Sequence, residues 1–266
     1  PPGAGRGTAG AALGTGLAEL VAGLYLLYFV LRRSPVLRLQ KGEHLRFNRP
    51  QLCTMLCIAA PVASEKVILT TAQIVSTAIV APLGTVAIAA NSFAITAESL
   101  CYMPAYGIQS AAAMLVGQSV GAGRRNMARR LGWVTVLIGV AVMIITGGLL
   151  YILAPQMMAI LTPNPDIIAL GARVLRIEAF AEPLFGASIV AGGVFQGVGS
   201  TLIPTLFNLG TMWGIRIPLA WLAAPRWGLP GVWAAMCLEL CVRGVLYLTR
   251  LVGKRWLPPG DQNEQA

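Results

Sequence analysis

Long apolar runs separated by short polar stretches set the elements of this chain. A helix that crosses a bilayer needs about 20 mostly apolar residues, and seven segments reach that length: roughly 10–31, 52–80, 87–116, 131–153, 167–195, 202–223 and 229–250. The connections carry turn residues, as in APLGT, LTPNPD and APRWG. The pattern predicts an all-α membrane protein of about seven transmembrane helices, with the lipid bilayer as its main solvent.

Composition agrees. Of the 266 residues 56% are hydrophobic and 11% charged, with a mean hydropathy of +0.70. Soluble domains carry roughly 25% charge. The net charge of +10 does not indicate a nucleic-acid partner, because the basic residues are scattered between apolar runs and not gathered on one stripe. They fall on alternate loops instead. Arg32, Arg33, Arg38, Lys41, Arg46 and Arg49 follow the first segment, Arg124, Arg125, Arg129 and Arg130 the third, and Arg250, Lys254 and Arg255 the last. Cytoplasmic loops are enriched in Lys and Arg. The expected orientation in the cell (inner or plasma) membrane therefore has the C-terminus in the cytoplasm.

The opening PPGAGRGTAG has neither a secretory signal nor a starting methionine, which suggests a piece of a longer chain. The last segment supports that expectation. Shifted by about 221 positions onto the first, it matches Gly7 with Gly228, Gly10 with Gly231, Leu17 with Leu238, Val21 with Val242 and Gly23 with Gly244. Internal repeats of this kind build transporter folds. On this reading 1–33 is the last transmembrane helix of a truncated lobe, 34–50 a cytoplasmic linker, 51–255 a six-helix lobe and 256–266 a cytoplasmic tail. A seven-helix receptor or interaction subunit is the competing design. Retinal is excluded by the absence of lysine from the last two segments.

A charged side chain at the bilayer centre costs about 2.5 to 3.5 kcal/mol even on the gentlest scale. Glu19, Glu65, Lys66, Glu98, Glu178, Glu182, Arg216, Glu239 and Arg243 all fall within apolar segments. That is too many for a passive scaffold. On the third segment Asn91, Glu98, Tyr102 and Gln109 lie within about 20° of one line at 100° per residue, a stripe that suits a cavity wall. Pro104 and Gly107 are expected to break that helix lower down. Interhelical hydrogen bonding without any ligand is the structural alternative. On the fifth segment Glu178 and Glu182 stand one turn apart, and two carboxylates this close in a low dielectric do not both ionise easily. They suit a proton or a sodium ion, or the outer acid pairs with Arg176. Glu65 is expected to face inward, and Glu239 with Arg243, spaced i,i+4, to neutralise each other. Gly193 with Gly197 fits a close helix approach.

Enzymatic motifs do not occur. VGQSVGAGR lacks the GK[ST] ending of a phosphate-binding loop, and there is no HExxH or GxSxG. His44 is the only histidine, and Cys53, Cys57, Cys101, Cys237 and Cys241 all lie in apolar runs, so they read as helix packing and not as a metal site. No cofactor is expected; the energy source would be an ion gradient.

Several stretches together resemble the second half of the multidrug and toxic compound extrusion (MATE) transporters. LVGQSVGAGRR at 115–125 is similar to the family's LVGQ-x-x-GAG-R, and AAPVASE, APLGTVAIAANS, FQGVGSTLIPT and IRIPLAWL follow the family's order. The resemblance implies one six-helix MATE-like lobe plus the last helix of the preceding lobe, an amphipathic or cationic small-molecule substrate, and alternating access coupled to H⁺ or Na⁺. It also implies a missing N-terminal lobe, or a second chain in its place. Gly117, Gln118, Gly121 and Gly123 would form a helix end and turn, with Pro104 a further structural or gating position. From the residues themselves, Glu65, Glu98, Glu178 and Glu182 are expected to line or border the lobe's inner cavity and couple the cation, which a cationic substrate would displace, and Asn91, Tyr102 and Gln109 to line that cavity. Departures exist. Gln196 and Ser200 stand where the family has arginine and aspartate, and Glu65 sits about one turn from the family's acid. A lipid-linked oligosaccharide flippase of the same superfamily is the alternative; it calls for a strongly cationic cavity.

Overall fold

The computed structural model describes residues 7–32, 49–253 and 256–257, without the side chains of 7–9, 11, 12, 51, 54, 57, 58, 61, 62 and 65. Residues 34–48 of the predicted linker and nearly all of the predicted tail, with His44 and Lys254, lie outside the described residues, and Arg49 and Pro50 of the linker open a helix instead. Two units divide the chain at Leu52.

In the first unit α1 (Gly7–Arg32) has 26 residues, about 39 Å at the helical rise, which exceeds a hydrocarbon core of about 30 Å. Helix α2 (Arg49–Val80) begins before the boundary and continues into the second unit. It ends in a short 3₁₀ turn, Ala81–Leu83, where Pro82 and then Gly84 (φ 101°) stop the helical path. Helices α3 (Thr85–Gly121) and α4 (Arg125–Leu161) follow, joined by a tight turn at Gly123 (φ 74°). Then come α5 (Pro165–Glu178), α6 (Glu182–Gly197), α7 (Leu202–Thr211), a π-helical turn at Met212–Arg216, and α8 (Ile217–Val252). Among the described residues the structure is all helical. Stretches long and apolar enough to cross a membrane occur at Leu13–Arg32, Lys66–Leu83, Thr85–Gly121, Arg125–Leu161 and Leu202–Val252.

Two predicted features need correction, and one predicted boundary is borne out. The expected single helix over 167–195 is two, because Pro183 has no N–H and its ring excludes the carbonyl four residues back; the chain turns at Ala179–Ala181 instead. The expected boundary between 202–223 and 229–250 is present at Gly228, whose φ of 62° and ψ of −147° suit glycine alone. Conversely, α3 is not broken: it runs unbroken through Pro104 and Gly107. Membrane helices tolerate proline where neighbours and local adjustment satisfy the freed carbonyl.

Helix α6 is the central post of the second unit. Every residue from Gly186 to Phe195 is buried, as expected for a helix apolar all round. Small residues let its neighbours approach. A β-carbon on Gly193 would stand 2.4 Å from the Gln109 carbonyl oxygen and one on Gly197 2.5 Å from that of Ala113, so the Gly193/Gly197 pair seats α6 directly on the α3 backbone. On the other side Gly139 and Gly147 of α4 accept Val190 and Glu182. Trp256, assigned by sequence to the tail, is 4% exposed and packs edge-on against Phe195.

Candidate functional site

Two polar regions stand out in the second unit, one buried and one open to the surface. The first is a charge cluster where α3, the α5–α6 break, the π turn and α8 meet. Glu98 and Arg216 are within electrostatic reach of Glu178, as are Glu182 and Glu239. All are buried, with Glu178 and Glu182 each 1% exposed and Glu239 fully enclosed.

Local folding places them. The chain break puts Glu178 at the last position of α5 and Glu182 at the first of α6. Both carboxylates thus point into the packed interior although no continuous helix joins them. Neither oxygen of Glu178 and neither oxygen of Glu182 has a hydrogen-bond partner among the described residues. Buried carboxylates are normally paired, so four orphaned oxygens in one place call for a ligand or a proton.

The cations of this cluster are held differently from each other. Arg243 donates Nε–H to Glu239 Oε1 at 2.8 Å and Nη2–H to the same oxygen, which matches the i,i+4 pairing expected from sequence. Arg216 makes no ion pair among the described residues; its Nη2 lies 2.7 Å from the Met236 sulfur. It sits on the π turn, and such turns are frequent at functional positions.

The second region is a cavity of about 320 Å³ between α2, α3, α6, α7 and α8. Lys66 and Arg243 supply its charge, Gln109, Gln196 and Asn208 its amides, and Phe185 and Ile189 an apolar side. Glu98, Glu178 and Glu182 are not on its wall.

The predicted α3 stripe is thereby split between four roles, with Glu98 in the charge cluster. Asn91 accepts the Trp233 indole N–H at 2.9 Å. Tyr102 stacks edge-on with Tyr106 and Phe185, both at 5.7 Å. Gln109 reaches the cavity. Glu65 lies on α2 by its backbone, and its side chain is outside those described. Gly117 packs 3.2 Å from the Gly197 carbonyl oxygen, measured from an added β-carbon, and the Gln118 carbonyl accepts from Ala122 at the end of α3. Gly121 closes α3, Gly123 makes the positive-φ turn beyond it, and Pro104 lies inside the helix. Sequence reasoning missed Asn208, Ser188 and Tyr247 of the cavity wall. Single polar residues on separate apolar helices give no spacing signal; polar residues breaking the apolar runs of α6 to α8 were the available clue.

Comparison with known proteins places this architecture. A model of the MatE family matches residues 61–222. A probable multidrug resistance protein NorM from Thermotoga maritima is 27% identical over 259 residues, covering 94% of this chain and 54% of that protein. The protein of the same name from Chromobacterium violaceum is 30% identical over 186 residues, 66% of this chain and 40% of the relative. Among solved structures, an outward-facing multidrug resistance MATE family transporter of the MOP superfamily aligns with a TM-score of 0.79 at 18% identity, over 93% of this chain and 56% of that one. A MOP superfamily transporter from Pyrococcus furiosus gives 0.82 at 17% identity, over 93% and 56%. The chain spans about half the length of the curated relatives that it matches along most of its own length.

Proposed function

This chain belongs to the MatE family, a family of multi-pass secondary transporters and not of enzymes, and on that premise we propose that it forms one lobe of an exporter of amphipathic small molecules. The lobe works by alternating access against a second lobe of similar size, in the same or another polypeptide, with its C-terminus in the cytoplasm. The coupling ion, H⁺ or Na⁺, occupies the carboxylates at the α5–α6 break. The observation that carries this reading is the set of four unpartnered, buried oxygens of Glu178 and Glu182.

Coupling by direct competition between a cationic substrate and the ion is the less favoured form of this mechanism, because these acids stand behind the cavity wall and not on it. Neutralising Glu178 changes the field on Glu98 and on Arg216, the latter on the π turn where α7 passes into α8, and neutralising Glu182 changes the field on Glu98. An ion that binds one packing of these helices better than another shifts the equilibrium between access states by that difference in affinity. The α7 and α8 side chains Asn208 and Arg243 line the cavity, so the substrate feels the shift.

Efflux of a fluorescent substrate from cells expressing the native protein tests the reading. Glu98→Gln and Glu182→Gln should each slow efflux at unchanged membrane abundance. Unchanged transport in both variants would sink the assignment of the ion site.

A further inference from the structure

The cavity and the acid cluster have opposite electrostatic character. On the cavity wall Lys66 brings an ammonium that makes no ion pair among the described residues. Arg243 is already matched to Glu239, which uses Nε and Nη2 and leaves the other three of its N–H groups without a partner among the described residues. Among the described residues no aspartate or glutamate lines the cavity. The charge of the described wall is therefore positive by the one ammonium of Lys66, and the amides of Gln109, Gln196 and Asn208 add donors from three different helices.

A ligand cation placed here would meet Lys66 with no carboxylate among the described lining residues to offset it. An anionic group would meet the Lys66 ammonium, the spare guanidinium N–H groups of Arg243 and amide donors, while Leu69, Phe185 and Ile189 cover an apolar body. At about 320 Å³ the space suits a drug-sized molecule. We propose that this cavity binds amphipathic organic anions, compounds with a carboxylate or sulfonate on an aromatic or aliphatic body, with Lys66 as the residue that sets charge preference. The inference rests on the exporter reading for its physiological meaning and on the cavity alone for its binding chemistry.

The test uses the purified chain in nanodiscs of zwitterionic lipid, so that the lipid supplies no net charge. Fluorescence anisotropy compares two xanthene dyes of opposite charge, carboxyfluorescein and rhodamine 123. Carboxyfluorescein should bind saturably and the cationic dye at least tenfold more weakly. Lys66→Gln should weaken the anion by about tenfold, the worth of one charged hydrogen bond, Lys66→Arg should retain it, and Lys66→Glu should reverse the preference. Lys66 is exposed and not packed in the core, so these variants should fold. Gly192→Leu, whose β-carbon would stand 3.6 Å from Tyr247 and 3.9 Å from Gln109, should fill the space and abolish binding. Equal or tighter binding of rhodamine 123, indifferent to Lys66→Glu, would overturn the inference, as would failure of both dyes to bind. Failure of the exporter reading looks different: carboxyfluorescein binds the chain with the Lys66 dependence above, yet proteoliposomes of the native protein move neither dye.

Discussion

The indole of Trp233 on α8 donates its N–H to the side-chain oxygen of Asn91 on α3 across 2.9 Å, joining residues 142 positions apart. Both are buried, at 1% and 7% exposure. Removing the acceptor leaves a buried donor without a partner, which costs about 1 to 3 kcal/mol. Asn91→Ala should lower the thermal midpoint of the purified protein in detergent. In an Asn91→Leu background, Trp233→Phe should cost less than it does alone, because the demand for the bond is then removed on both sides. Equal midpoints for wild type and Asn91→Ala would show that the bond contributes nothing.

Gly193 and Gly192 are adjacent, and their expected responses to alanine differ. A β-carbon at 193 meets backbone, the Gln109 carbonyl oxygen at 2.4 Å, and the backbone of a long helix cannot yield cheaply; at 192 the nearest atom is 3.6 Å away. Overpacking of this kind costs about 1 to 3 kcal/mol. Gly193→Ala should destabilise by that amount, and Gly192→Ala should leave stability within about 0.5 kcal/mol of wild type. Thermal unfolding or protease resistance measures both. A Gly193→Ala protein as stable as wild type would mean that α3 and α6 are not in the contact described.

The apolar runs revealed the helices because the bilayer demands about 20 residues per crossing, and the Gly193/Gly197 spacing revealed one helix contact. Helix breaks were less legible. Pro104 and Pro183 look alike in sequence, yet α3 continues through the first and the chain turns before the second. Whether a proline ends a helix depends on whether the freed carbonyl finds another partner, which is a tertiary question. The π turn at Met212–Arg216 has no residue signature of its own. Glu239 with Arg243 was readable, since both ends lie on one helix. The cavity was not, because its polar groups come from α2, α3, α6, α7 and α8, so that no local spacing links Lys66 to Asn208 or Gln196.

Glu239 is fully buried and Arg243 8% exposed, and the arginine has no other carboxylate within ion-pair distance among the described residues. Removing one member of such a pair leaves a buried charge uncompensated, at about 3 to 5 kcal/mol. Glu239→Ala should therefore yield a protein of much lower thermal midpoint. The double variant Glu239→Leu with Arg243→Met removes both charges, and it should recover most of the loss. If the double variant is no more stable than Glu239→Ala, the pair is not the source of the effect.

Glu178 lies near Glu239, is similarly buried, and should respond in the opposite sense. Its two oxygens have no partner among the described residues, so it gives up no hydrogen bond there when the charge is removed. Glu178→Gln should stay within about 1 kcal/mol of wild type or exceed it, since burying an unpaired charge costs more than burying an unpaired amide. The same change, combined with Glu182→Gln, should erase any ion response. A ligand that binds only the folded state raises its midpoint by mass action. Wild-type protein scanned in sodium chloride against choline chloride, and across pH, should show a midpoint that depends on one of the two cations. The double variant should show a flat response to both. A dependence that survives in the double variant would move the ion site elsewhere, and Glu98, the remaining acid of the cluster that lacks an ion pair among the described residues, would be the next residue to replace.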